Sequence, residues 1–456
     1  MISIIDSVGI HPTKVQISIR LGNIFTYILK TRVRLLPLCS KFRTMITYDS
    51  HTLANGLRVV VNRDPDSAMA AVNLLYAVGA RNESPDCTGF AHLFEHLMFR
   101  GTRDVPDFDA PLQLACGENN AFTNNDYTDY YITLPKDNIE TALWLESDRM
   151  RGLDISDEVL ETEKRVVLEE YNQRYLNQPY GDMWKLLRGM CYTTHPYRWP
   201  TIGLTPDHIR DASMTTVRRF YDRYYSPENC ILSVSSGHDP EHIFAFADKW
   251  FSHIPATGFT RDTIPTEPLQ TSARRLEVER DVPATAIMIA FPMGDRLSRN
   301  YYLCDMLTDV LAGGTSARLY QRLVKGRRLM GATNAYITGD VDPGLLVVTA
   351  NLLPETSVAE AEQALWEELR ELATNAPSDY ELTKIKNKFE AEMTYGEMNI
   401  MNKAMNLGYY SMLGDLPLIN REAELFRSIT RSEICAAAAE MFRPERSSTL
   451  IYAKKK

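Results

Sequence analysis

Two runs of small and apolar residues, 70–77 and 284–291, have the length and composition of buried β-strands. Each is followed by a segment of helical character, around residues 92–96 in the first case and at 301–311 in the second. A strand-then-helix unit that recurs in this way predicts an internally repeated chain with two related halves. Between them, 239–251 is helical by periodicity, and 255–270, which carries Pro and Thr residues, reads as a linker. The stretch 156–176 lacks Gly and Pro and is rich in Glu, Leu, Arg and Lys. It predicts a helix with Leu160, Val166, Val167 and Leu168 at its apolar positions. The apolar and aromatic stretch 120–134, set between Gly117 and Pro135, predicts a β-strand. An interior strand with a polar turn at Asn124, Asn125 and Asp126 is the alternative.

The first helical segment carries the candidate chemistry. His92 and His96 fall one turn apart on one helical face, so both imidazoles can reach a single cation. Glu95 lies beside that face, within reach of a water held there. Neutral imidazoles in this arrangement suit zinc, and His-x-x-Glu-His is a recognised inverse of the commoner zinc-hydrolase helix. Two ordinary helix residues, with Glu95 solvated or paired to an Arg, are the alternative. Within 156–176, Glu163 and Glu170 are seven residues apart, close to two turns, and share a face. One of them can complete a His-His-Glu set and leave a fourth position for water, while the other hydrogen-bonds a ligand and orients it. The competing picture is a charged solvent face with Glu–Lys pairs.

Together these residues resemble the pitrilysin/insulinase family of inverted zinc metallopeptidases, which includes the mitochondrial processing peptidases. Asn55-Gly56-Leu57-Arg58-Val59 is similar to the family's opening strand, and Val78-Gly79-Ala80-Arg81-Asn82-Glu83 to the loop before its zinc helix. Gly89-Phe90-Ala91-His92 through Phe99-Arg100-Gly101-Thr102 resembles the helix itself. Asn120-Ala121-Phe122-Thr123, followed by Tyr127-Thr128-Asp129-Tyr130-Tyr131, resembles the substrate-binding edge strand. His195-Pro196-Tyr197, Ile202-Gly203 and Tyr224-Tyr225-Ser226-Pro227-Glu228-Asn229 are similar to the closing part of the first domain. The resemblance runs from about residue 45 to residue 452.

The resemblance implies zinc ligands His92, His96 and Glu170, with Glu95 as general base and Glu163 supporting a ligand. Glu169 points about 100° away from Glu170 around a helix and is set aside. It implies a zinc metalloendopeptidase in which zinc polarises the scissile carbonyl and acidifies a water, while Glu95 accepts a proton and passes one to the leaving amine. Extended peptides would add to the edge strand at Asn120, Ala121 and Phe122 through backbone pairing, with broad specificity. The implied fold is α+β, with two homologous α/β-sandwich halves, each a mixed, mainly antiparallel sheet with helices, forming a clamshell. The expected domains are a catalytic zinc-binding unit at 45–250, a linker at 251–270 and a homologous unit without metal at 271–456. In that second unit the comparable helix carries Cys304 and no His.

Composition narrows the picture further. The 44% hydrophobic and 24% charged content is that of a soluble globular protein, and a net charge of −9 disfavours nucleic acid as a partner. No stretch reaches the roughly 20 apolar residues of a membrane helix, so no membrane association is expected. The seven Cys are scattered without C-x-x-C spacing and read as reduced thiols, which points to the cytoplasm. Residues 1–44 stand apart, with Lys14, Arg20, Lys30, Arg32, Arg34, Lys41 and Arg43 against one acid, Asp6. An extension ahead of a start at Met45 is preferred, and an organelle presequence is the alternative.

One departure matters. Active members of the family often place an Arg and a Tyr, seven residues apart, in the second half to grip the substrate and polarise its carbonyl. Here Val324 and Gly331 stand at those positions, and losing such donors costs on the order of 10²–10³ in rate. Two-chain members divide the labour between a zinc chain and a sister chain. The resemblance therefore implies a homo- or heterodimer in which a sister chain supplies the missing pair. Arg327 or Arg328 acting within the same chain, and a non-catalytic scaffold, are the rival readings.

Overall fold

The computed structural model describes residues 45–455. The basic segment 1–44, with both readings of it and Cys39, lies outside the described residues. The first sheet contains β1 (Asp49–Thr52), β2 (Arg58–Arg63), β3 (Met69–Tyr76), β4 (Glu118–Thr123), β5 (Thr128–Pro135) and β6 (Cys230–Ser236). The second contains β7 (Arg274–Arg280), β8 (Ala286–Pro292), β9 (Met330–Ile337), β10 (Leu345–Leu352) and β11 (Ser448–Lys454). Their spatial orders are β1-β2-β6-β3-β5-β4 and β7-β11-β8-β10-β9.

With the edge strand β1 set aside, the two orders coincide strand for strand. Each sheet has a single parallel pair, β2 with β6 and β7 with β11, and every other neighbour is antiparallel. The repeat read from two apolar runs thus extends to the whole topology. It also places β4 and β9 at equivalent sheet edges.

Both faces of each sheet are buried, which is why β3 reads as a nearly unbroken apolar run. Val72, Leu74, Ile132 and Leu232 share a core with helices Phe90–Leu97, Ile139–Arg151, Asp157–Tyr171 and Pro240–Phe251. Val60, Leu75 and Ile231 point the other way and meet Leu407 and Tyr410 of helix Ile400–Leu413, which belongs to the second half. The second sheet is covered on one face by helices Arg299–Ala312, Val358–Thr374 and Arg431–Met441. On its other face, Met288, Ala290, Val347 and Leu450 meet Leu187 and Cys191 of helix Met183–Cys191, from the first half. Each half therefore lends one helix to the other's sheet.

Two expected elements take a different form. The stretch 120–134 is a hairpin of β4 and β5 rather than one strand. The Asn124 side chain accepts from the backbone N–H groups of Asp126 and Tyr127 at 2.8 and 2.9 Å and turns the chain. The helix expected over 156–176 begins after Ser156, whose hydroxyl caps the Val159 N–H, and ends at Tyr171. Asn172–Leu176 continue it as one π-type turn. Leu160 and Val167 are buried, whereas Val166 is 42% exposed. The segment 255–270 holds no regular element, as expected, but it is anchored to the first half. Glu267 accepts from the N–H groups of Thr193, Thr194 and His195, and Asp262 accepts from Asn82 and Tyr224.

Candidate metal centre

Helix Phe90–Leu97 is short, and its position is set by what grips its start. Gly89 adopts φ +89°, a left-handed conformation that favours glycine. The buried Glu83 carboxylate accepts from the N–H groups of Gly89 and Ala91 at 2.8 and 2.9 Å, occupying donors that a helix start leaves free. Burial pushes this carboxyl up to about 8, against the pull of its backbone donors.

His92 and His96 project from this helix with ring centroids 4.9 Å apart. Helix Asp157–Tyr171 presents Glu163 and Glu170 towards them. Glu170 Oε2 lies 3.5 Å from His92 Nε2 and 3.4 Å from His96 Nε2. Ligand atoms of His92, His96 and Glu170 all fall within 4.8 Å of one another. Glu163 instead meets the far nitrogen of His96, with Oε2 3.5 Å from Nδ1. Glu169 is exposed on another face. The outer oxygens are held by guanidinium groups. Arg174 Nη2 is 2.6 Å from Glu170 Oε1, and Arg100 Nη2 is 2.5 Å from Glu163 Oε1.

Two imidazole nitrogens and a carboxylate oxygen form a donor set that catalytic zinc takes, with one position left for water. The electrostatics suit it only in part before metal arrives. Burial drives His92 down to about 4, so it is neutral near pH 7. Burial also pulls on His96, but Glu163 and Glu170 outweigh it and lift this ring to about 9. Glu170 is held below its ordinary range: burial opposes this, and His96, His92 and Arg174 prevail. Glu95 is raised by burial, against the Thr123 hydroxyl, which donates to its Oε2 at 2.6 Å.

Thr123 is the last residue of β4, the strand that carries Asn120, Ala121 and Phe122. Among the described residues β4 pairs with β5 alone, so its outer edge has no strand partner there. The Asn120 side chain accepts from the Ala121 N–H at 2.8 Å. The Phe122 ring packs edge-on against Tyr127 at 5.6 Å, away from the face where Thr123 meets Glu95. At the equivalent edge of the second sheet, Asn334 accepts from the Ala335 N–H at 2.9 Å, so the duplication reaches side-chain detail. Val324 lies in a π-type turn, Tyr320–Gly326, and packs on the second core, while Gly331 sits on β9. Neither offers a polar side chain. Arg327 is engaged with Glu367 at 2.7 Å.

Sequence reasoning assigned no role to Thr123, Arg100, Arg174 or Glu83. Arg174 follows Glu170 by four, the spacing of helical neighbours, and that was a readable signal, whereas Arg100 lies past the end of its helix and meets Glu163 on another one. Thr123 shares β4 parity with Ala121, but its partner Glu95 lies on another element.

Comparison with known proteins adds a relationship to this geometry. Residues 58–183 match the family described as insulinase (peptidase family M16), and 211–389 match the peptidase M16 inactive domain. The chain is 26% identical over 411 residues to a Helicobacter pylori protein named zinc protease PqqE, covering 88% of this chain and 92% of that one. The crystal structure of a protease from Helicobacter pylori matches with a TM-score of 0.84 at 26% identity, over 90% of this chain and all of that one. Pitrilysin shares the clamshell fold, with a TM-score of 0.74 at 17% identity. That match covers 90% of this chain but 45% of pitrilysin.

Proposed function

From the premise that this chain belongs to the M16 peptidase family, we propose that it is a zinc metalloendopeptidase that hydrolyses extended peptides or unfolded segments. The observation that carries this reading is the convergence of His92, His96 and Glu170 next to a Glu95 that is hydrogen-bonded to an open sheet edge. His92, His96 and Glu170 would hold the zinc ion, which when bound would supply Lewis acidity towards a carbonyl and a water. Glu95, made more basic by burial, takes a proton and returns one to the leaving amine. Glu163 fixes the His96 ring through Nδ1. A substrate strand pairs with the backbone of Asn120, Ala121 and Phe122.

A second chain completes the proposal. Val324 and Gly331 cannot polarise a carbonyl, Arg327 pairs with Glu367 at the surface, which leaves Arg328 as the rival donor within the chain, and pitrilysin is about twice the length of the matched segment. A further copy or a sister chain bearing an Arg–Tyr pair would supply the missing donors. The test is zinc content, together with cleavage of unfolded peptides by the chain alone and with a sister chain. Stoichiometric zinc with cleavage that rises on adding the partner supports the reading. A protein that takes up no zinc, or that holds zinc and cleaves nothing with either partner, leaves the non-catalytic subunit instead.

Thr123→Val supplies a finer check, since it keeps the side chain's shape and removes the donor to Glu95. A hydrogen bond to a charged group contributes about 1.5–3 kcal/mol, so kcat is expected to fall roughly ten- to a hundredfold. Zinc content, measured by atomic absorption, is expected to stay unchanged.

A further inference from the structure

The turn that joins β4 to β5 is gripped far more tightly than a surface hairpin requires. From the first half, the Ala80 and Arg81 N–H groups donate to the carbonyls of Asn124 and Asn125 at 3.1 and 2.8 Å. A Cβ at position 79 would sit 2.6 Å from both of those carbonyl oxygens, so only glycine permits the approach. Arg81 Nη1 lies 3.1 Å from Asp126 Oδ1, which also accepts from the Tyr197 hydroxyl at 2.5 Å. Arg188 donates to Asn125 Oδ1 at 3.0 Å.

The remaining contacts come from the other half, through the loop between β9 and β10. The Val341 N–H donates to Asp126 Oδ2 at 2.9 Å, and Asn125 Nδ2 donates to Asp340 Oδ1 at 2.5 Å. Asp342 closes the network. Its N–H donates to the Tyr197 hydroxyl at 3.0 Å, and its carboxylate meets Arg81 at 2.9 Å and His195 Nε2 at 3.3 Å. Asn125, Asp126 and Asp340 are buried. Breaking the network would leave charged or amide groups without partners, so it holds one arrangement.

We infer that the second half's loop 338–344 is a positioning element for catalysis: Asp340 and Val341 hold Asn125 and Asp126 of the turn directly, and Asp342 braces Arg81 and Tyr197, which hold the same turn. The inference rests on the peptidase reading proposed above. The nearest residue the loop holds, Asn125, is two from Thr123, and Ala80 holds the Asn124 between them, so together they fix both the hydroxyl that orients Glu95 and the line of the edge on which a substrate strand is laid. It also gives a role to two motifs of the chain, the loop 78–83 and His195-Pro196-Tyr197. A half without metal donors thereby acts on the site across the boundary between halves.

A mere fastening of one half to the other would change stability and nothing else. The discriminating readout is peptide length, because the side chain at 95 still holds Thr123 when the turn is loosened, so β4 swings about that end and displaces a peptide spanning the whole strand more than a tetrapeptide at the metal end. The experiment uses the zinc-loaded full chain carrying Glu95→Gln, with and without Asp342→Asn, and measures binding of both fluorescent peptides by anisotropy. Asp342→Asn is expected to weaken the long peptide about tenfold or more and to leave the tetrapeptide within about twofold, at unchanged zinc content. Arg81→Lys, which keeps the charge beside Asp126, is expected to give the same pattern in milder form. Equal weakening of both peptides, or no change in either, would overturn the clamp. If wild-type protein with zinc and a sister chain cleaves neither peptide while the length-dependent loss persists, the peptidase reading fails and the clamp on a peptide-binding edge stands.

Discussion

Glu95→Gln is expected to abolish peptide hydrolysis while zinc stays bound. Glutamine has the same length and can still accept from the Thr123 hydroxyl, so the helix and β4 keep their relation. It cannot take a proton from water, and a positioned acid–base group contributes about 10²–10⁴-fold to rate. Glu95 lies outside the three-residue donor cluster, so its replacement removes no ligand. The measurement is kcat on an unfolded peptide beside zinc content on the same sample. A variant that keeps wild-type turnover would sink the mechanism, whatever its metal content.

Zinc uptake near pH 7 is expected to release about one proton, and His96 is its source. In the metal-free protein His92 titrates at about 4 and is already neutral, whereas His96 titrates at about 9 and carries a proton. Glu170 is ionised, because its pKa lies below the ordinary glutamate range. The sign follows directly. A proton competes with zinc at every pH below about 9, so affinity falls roughly tenfold per unit as pH drops from there, and more steeply below about 4 when His92 also binds one. Above about 9 the dependence flattens. Calorimetric titration with zinc in buffers of different ionisation enthalpy counts the protons. Release of none would mean that Glu163 and Glu170 do not hold His96 charged, whereas a second proton would come from the water that zinc acidifies. Stripping zinc with a chelator should also lower stability, by about 4 kcal/mol if free zinc had been at a thousand times its dissociation constant.

The reach of the sequence differs from element to element. His92, Glu95 and His96 were legible because a single helical turn fixes their relation, and no distant residue can alter it. The choice between Glu163 and Glu170 was open on spacing alone, since both share a face. Only the crossing of two helices separates the carboxylate that joins both imidazoles from the one behind His96. Within 120–134 the aromatic residues carry strand character on both sides, so the turn at Asn124, Asn125 and Asp126 entered only with the alternative reading, and one side chain, Asn124, does the turning. Val166 looked like core because a count of apolar residues does not say where a helix's neighbours stand. The exchange of helices between the halves left no local trace, because Leu187 and Leu407 are ordinary buried leucines whichever sheet they cover.

That exchange has a consequence for how the chain is made. The last strand of the first sheet ends at Ser236, but the helix that covers its far face spans Ile400–Leu413. During synthesis the first sheet can pair its strands early and must then wait, with Val60, Leu75 and Ile231 bare, until most of the second half has left the ribosome. The second sheet faces no such delay, since Met183–Cys191 exists before any of its strands. Two halves of the same topology therefore mature on unequal schedules. The half that carries the metal donors is the one that spends longest as a sticky, one-sided sheet, and a nascent chain stalled within 255–270 would present that surface to whatever chaperone or neighbour reached it first.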